Sequence, residues 1–145
     1  MVWAPLGSSF AGYLRMSDFS HGRRERLLGR PVIVVEFEPK RGGRPEGDVD
    51  RQAGKLAGTL WIDEASEHVI RIESYFTGDH NGNVQGSSVR MERVLIDDVW
   101  LPLRFEMRLH RDLAFGKSSS SFAEVRSSDW RKFDVATEFT VTLPD

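Results

Sequence analysis

The sequence predicts a mainly β domain: a strongly curved antiparallel meander sheet, an unclosed β-barrel with little helix. Three observations carry that expectation. Val99, Leu101, Leu103, Phe105, Met107 and Leu109 alternate without a break against Trp100, Pro102, Arg104, Glu106, Arg108 and His110. Period-2 alternation of this length is the pattern of a strand with one apolar and one wet face. Extended to Leu113, the run would span about 50 Å at ~3.3 Å per residue, far beyond the usual strand, so it has to bend or bulge. Finally, residues 54–63 and 67–73 form a hairpin about Glu64-Ala65-Ser66, both arms rich in β-branched and aromatic residues.

The 145 residues are expected to form one domain, with a leader or an N-terminal subdomain allowed for upstream of Met1. A chain of this size buries roughly two-thirds of its unfolded surface and needs no covalent staple. The absence of cysteine excludes thiolate catalysis and cysteine-based metal ligation, although it leaves the compartment open. Twenty basic and 22 acidic residues give a net charge of -2, with the signs interleaved along the chain. Nothing in that pattern resembles a nucleic-acid-binding stripe. No apolar run approaches the roughly 18 residues of a membrane-spanning helix, and residues 1–5 lack the basic-then-apolar order of a signal peptide.

In chain order, Phe10, Tyr13, Leu14 and Met16 have roughly helical spacing weakened by Gly7 and Gly12, which predicts a short helix or a partly ordered lead-in. A hairpin follows: a polar strand over 19–27, a turn at 28–31, and a strand over 32–38 whose Val32-Ile33-Val34-Val35 run suits apolar contact on both faces. Residues 40–54 are loaded with Gly and charge and predict a mobile loop without structure of its own. Beyond the central hairpin, Asn81-Gly82 suits a tight turn. A strand over 84–96 then places Val89, Met91, Arg93 and Leu95 on one side, and Asp97-Asp98 turns the chain into the long strand. Pro102 donates no ladder bond and is expected near the strand start or at a bulge. A turn over 116–121, a strand over 122–133 and a last strand over 138–143 bring the count to about eight.

Chemically suggestive motifs are sparse. Gly116-Lys117-Ser118 resembles the tail of a phosphate-binding loop, but Arg111 stands where the first glycine is required and a strand follows instead of a helix. His21, His68, His80 and His110 are scattered singly without ligand spacing. Asp63-Glu64 and Asp97-Asp98 are turn acids, and Arg104, Glu106, Arg108 and Asp112 are expected to form charge pairs on a solvated face. No catalytic residue, cofactor or metal site is expected.

Three stretches resemble the bacterial outer-membrane lipoprotein-sorting family, which includes the periplasmic lipoprotein carriers. They are Leu28-Gly29-Arg30-Pro31-Val32-Ile33-Val34-Val35-Glu36-Phe37-Glu38-Pro39-Lys40, then Lys55-Leu56-Ala57-Gly58-Thr59-Leu60-Trp61-Ile62-Asp63 with Val69-Ile70-Arg71-Ile72-Glu73, then Val99-Trp100-Leu101-Pro102. The resemblance covers residues 28 to 110 and its motifs are structural, not catalytic. It implies a non-enzymatic, cofactor-free domain of the periplasm or cell envelope that shelters a lipid, an acyl chain or another apolar ligand in the concavity of an unclosed barrel. The lid helices of such proteins have no counterpart here beyond residues 10–16. On that implication, Leu101, Leu103, Phe105, Met107 and Leu109, with Met91 and Leu95 of the neighbouring strand, are the expected ligand-binding residues. The alternative is an envelope protein-interaction or sensor module on the same scaffold, contacting a partner through its edge strands or the 40–54 loop.

Overall fold

The computed structural model describes residues 12–79 and 85–131. Seven strands, β1 (Ser17–Leu27), β2 (Arg30–Pro39), β3 (Leu56–Asp63), β4 (Val69–Phe76), β5 (Ser88–Ile96), β6 (Val99–Asp112) and β7 (Ser118–Arg126), form one antiparallel sheet in sequence order. The sheet is not closed into a barrel: among the described residues, β1 and β7 are its two edges. The Asn81-Gly82 turn and the strand expected over 138–143 lie outside the described residues.

Two of the hairpins turn in two residues. Leu28-Gly29 joins the paired Leu27 and Arg30, and Asp97-Asp98 joins Ile96 and Val99, with φ positive at both central positions of each turn. That is the primed geometry whose twist matches the flanking strands. Three bulges bend the ladder. β1 gains a residue at His21-Gly22, β4 at Ile70 and β6 at Leu103, next to Pro102. Pro102 thus sits beside a bulge, where its missing N–H leaves no gap in a regular ladder. Gly58 marks a fourth tight place, because a Cβ there would lie 1.9 Å from the Glu73 carbonyl oxygen.

The strand after the long one begins earlier than expected. Ser118 to Ser121 pair with Asp112 to Leu109 instead of turning. The reversal is made by the 3-10 turn Ala114–Gly116, where Phe115 and Gly116 take positive φ and the Leu113 N–H donates to the Lys117 carbonyl at 2.7 Å. That leaves the serines free to extend.

The 40–54 segment also departs from expectation, since it contains the helix Asp48–Ala53. The cause is a contact 35 residues distant: the Arg15 guanidinium donates to both Asp50 carboxylate oxygens, at 2.7 and 3.3 Å, and the Glu46 N–H donates to the same group at 3.0 Å. Asp50 is buried, and the Arg15 hydrogen bond above all holds its carboxyl below the ordinary value. Arg15 lies in a helical turn over 12–16 whose Met16 packs beside Gly43 and Gly54. Ion pair and packing together order a segment with too little apolar surface to order itself.

The core consists of two clusters. Phe37, Leu56, Leu60, Ile72 and Phe76 form one, with Tyr13 of the helical turn packed edge-on against Phe37 at 5.4 Å. Val32, Val34 and Ile70 form the other, covered by Leu27, Trp61 and Trp100. Val34 and Val35 are adjacent on β2 and pair with Trp61 and Leu60 respectively, so the clusters occupy opposite faces. β2 is therefore apolar on both sides, as its Val-Ile-Val-Val run requires.

The second cluster is closed by a polar latch. Arg30 donates to both oxygens of Asp63, at 2.6 and 2.9 Å. The Ser66 N–H and hydroxyl donate to the same carboxylate at 2.9 and 2.7 Å, and Trp100 Nε1 donates to Ser66 Oγ at 3.0 Å. Asp63 is thus a turn acid, as its position implies, and also a fully buried ion-pair partner with 0% of its side chain exposed. The Arg30 pairing foremost, with the Ser66 donors, holds its carboxyl far below the usual range despite burial.

Candidate functional site

Partners across an antiparallel ladder share a face, so the register gives each side of the sheet its residues. On one side, Val35, Leu60, Ile72, Met91, Phe105 and Val125 form a continuous row from β2 to β7. Beside it run Phe37, Gly58, Ser74, Val89, Met107 and Ala123. Tyr13 reaches over this face. Its ring meets Phe37 and its hydroxyl bonds Ser74, and burial raises its pKa above the ordinary value.

From Leu60 toward β7, burial falls steadily along the first row. Leu60 and Ile72 are 1% and 6% exposed, Met91 and Phe105 are half-buried, and Val125 is 51% exposed. Of the residues expected to bind ligand, Met91, Phe105 and Met107 come together in this block, with Leu109 at its end opposite Ser121. All seven are half-buried, none fully. Leu95, Leu101 and Leu103 are separated from the block by the β6 bulge. One step on β5, from Glu92 to Arg93, corresponds to two on β6, from Arg104 to Pro102. Leu101 therefore pairs with Val94 and Leu95 with Trp100, instead of with each other. An unbroken alternation in sequence concealed that shift, and only Pro102 hinted at it.

Beyond the bulge Arg93 pairs with Pro102. It is half-buried, and burial lowers its pKa below the ordinary guanidinium value. Among the described residues Arg93 has no ion-pair partner, unlike Arg71, Arg90, Arg104 and Arg126 of the side opposite the first row.

That opposite side carries an ordered charge lattice. Glu36, Thr59, Glu73, Arg90, Glu106 and Glu124 form one cross-strand row, and Trp61, Arg71, Glu92, Arg104 and Arg126 form the next. Arg90 pairs with Glu73 at 2.9 Å, Arg71 with Glu92 at 3.4 Å, and Arg104 with Glu124 at 3.3 Å as well as with Glu106. The Arg126 guanidinium holds the Glu124 carboxyl below its ordinary value. Arg71 also stacks on Trp61, 4.8 Å from the ring centre. An open groove of about 500 Å³ lies over this lattice, lined by residues that include Tyr75, Ser88, Arg90, Arg104 and Arg108. Arg104 and Glu106 are paired as the sequence suggested, whereas Arg108 lies over the Phe122 ring at 4.9 Å.

Among the described residues, no group of three or more His, Asp or Glu side chains could hold a metal ion, and no helix is long and apolar enough to cross a membrane. The architecture is that of an open seven-stranded antiparallel meander, one half of whose apolar face is packed and the other half partly open. Comparison with protein-family models, with curated proteins and with solved structures finds no match.

Proposed function

We propose that this chain is a non-enzymatic carrier-like domain of the bacterial cell envelope. It shelters an acyl chain or similar apolar ligand against the β5–β7 half of its apolar face. The observation that carries this reading is the burial gradient along Leu60, Ile72, Met91, Phe105 and Val125, which runs from packed core to exposed side chain within one row. Covering the open end removes apolar area from water at about 25 cal/mol per Å², so affinity should rise with chain length. The resemblance to the lipoprotein-sorting family supports both the ligand class and the periplasmic placement.

A second reading, a protein-interaction module, draws on the β7 edge, where Phe122 and Val125 are both about half exposed. An added strand from a partner would pair there through main-chain hydrogen bonds.

Native mass spectrometry of protein exported to a periplasm and never denatured, with solvent extraction of what co-purifies, separates the two. A stoichiometric fatty acid, phospholipid or lipopeptide, lost in Met107→Asp, supports the carrier. An apo mass that persists after incubation with lipid micelles rejects it.

A further inference from the structure

The charged side of the sheet holds one row that its ion pairs leave unused. Tyr75 pairs with Ser88, Ser88 with Arg108, and Arg108 with Phe122, across four successive strands in regular register. These residues lie two positions from Glu73, Arg90, Glu106 and Glu124 on the same strands, so they share the lattice's side. Within the lattice, Arg71, Arg90, Arg104 and Arg126 are each paired with glutamates. Arg108 has no carboxylate partner among the described residues, and its guanidinium rests on the Phe122 ring at 4.9 Å. The Tyr75 and Ser88 hydroxyls make no hydrogen bond among the described residues, and Tyr75 and Phe122 are 51% and 53% exposed. Two open grooves meet at Tyr75. One, of about 500 Å³, is the groove over the lattice, and the other, of about 550 Å³, continues past Thr59 to Glu36 and His21.

We propose that this trough binds an acidic oligosaccharide, one carboxylate of which is held by Arg108. The site lies on the side of the sheet away from Met91, Phe105 and Met107, so it stands apart from the carrier reading. Charge complementarity comes first: Arg108 is a planar fork without an anion, and it matches a carboxylate through two parallel hydrogen bonds. Sugar hydroxyls both donate and accept, and the groove sets both kinds of partner side by side, glutamate oxygens at Glu73 and Glu106 and guanidinium N–H groups at Arg90 and Arg104. A bare anion would use Arg108 alone and gain nothing from those glutamates. The exposed Tyr75 ring offers the flat C–H face of a sugar an apolar surface, with a hydroxyl at its edge. From Tyr75 on β4 to Phe122 on β7 is three strand spacings, about 14 Å at ~4.8 Å each, room for more than one sugar ring. Ion pairs of Arg90 with Glu73 and of Arg104 with Glu106 fix these side chains beforehand, which lowers the ordering cost of binding.

The test titrates three probes into the full chain at low salt, read by isothermal calorimetry: trigalacturonate, its methyl triester, which keeps the sugars and removes the charge, and acetate. Wild type should bind trigalacturonate about 10-fold more tightly than the ester, the worth of one charge-assisted contact, and acetate should not register. Arg108→Gln should bring trigalacturonate down to the affinity of the ester, and Arg108→Lys should restore part of the difference. Tyr75→Ala should weaken acid and ester alike by about 5-fold. Arg26→Gln, an exposed arginine of β1, should change neither affinity. Equal binding of acid and ester by wild type overturns the proposal, as does an Arg108→Gln variant that keeps the preference. Acetate binding as tightly as trigalacturonate overturns the sugar, and absence of binding by all three probes overturns the site.

Discussion

Replacing Asp63 by Asn keeps the side chain's shape and removes only its charge and one acceptor. In the native protein that carboxylate accepts two hydrogen bonds from Arg30 and two from Ser66 while fully shielded from solvent. An asparagine would turn one N–H₂ toward donors and leave Arg30, 33% exposed, without its anion. Breaking a buried pair by removing one partner costs about 3–5 kcal/mol, and the partial exposure of Arg30 places this case near the lower end, at ~3 kcal/mol. A chain of this size should then lose roughly 10 °C in melting temperature. The pH dependence carries a sharper signature. The folded carboxyl titrates well below the unfolded value of about 3.9, so the pair's stabilisation is complete above that value and is lost as pH falls below it. At pH 3 the unfolded Asp63 is largely protonated while the folded one is still ionised. The gap between wild type and Asp63→Asn should therefore narrow by about 1.3 kcal/mol between pH 7 and pH 3. Urea unfolding at both pH values, followed by tryptophan fluorescence, measures it. A variant within 0.5 kcal/mol of wild type at pH 7, or a gap unchanged at pH 3, would refute a buried, ionised latch.

Other substitutions probe the remaining structure. Leu60→Ala, at 1% exposure in the first cluster, should cost about 2–5 kcal/mol in denaturant unfolding, and a loss below 1 kcal/mol would contradict its place in a packed core. Gly58→Ala should destabilise by more than ~2 kcal/mol, because its Cβ meets backbone at Glu73 and not a yielding side chain; wild-type stability would mean the strands stand further apart than described. Asp50→Asn should abolish amide protection in residues 12–16 and 48–53 in hydrogen exchange while β3 and β4 stay protected, and in wild type the same protection should weaken progressively as pH falls below the ordinary carboxylate value. Loss of protection across the whole sheet would instead make the helix part of the global fold.

The strands were legible because alternation is a local signal: β6 appears in the bare sequence almost to its ends. The bulges were legible only at Pro102, because an extra residue on β4 or β6 exists only relative to the strand beside it. Ile70 illustrates this. Strict alternation from Ile72 would put it on the first cluster's side, yet the bulge moves it onto Val32 and Val34. The helix Asp48–Ala53 escaped for a related reason, since its order depends on Arg15, outside any window in which residues 40–54 could be judged.

The candidate site shows the same division. Alternation placed Met91 and Arg93 on one side of β5 and Phe105 and Met107 on one side of β6, and the register unites Met91, Phe105 and Met107 in one block. What sequence could not show is which arginines are already neutralised. Arg90, Arg93 and Arg104 are equivalent as letters, and each sits in an alternating strand. The sheet gives Arg90 and Arg104 glutamates across the ladder, while Arg93, opposite Pro102, faces a residue with no side-chain acceptor.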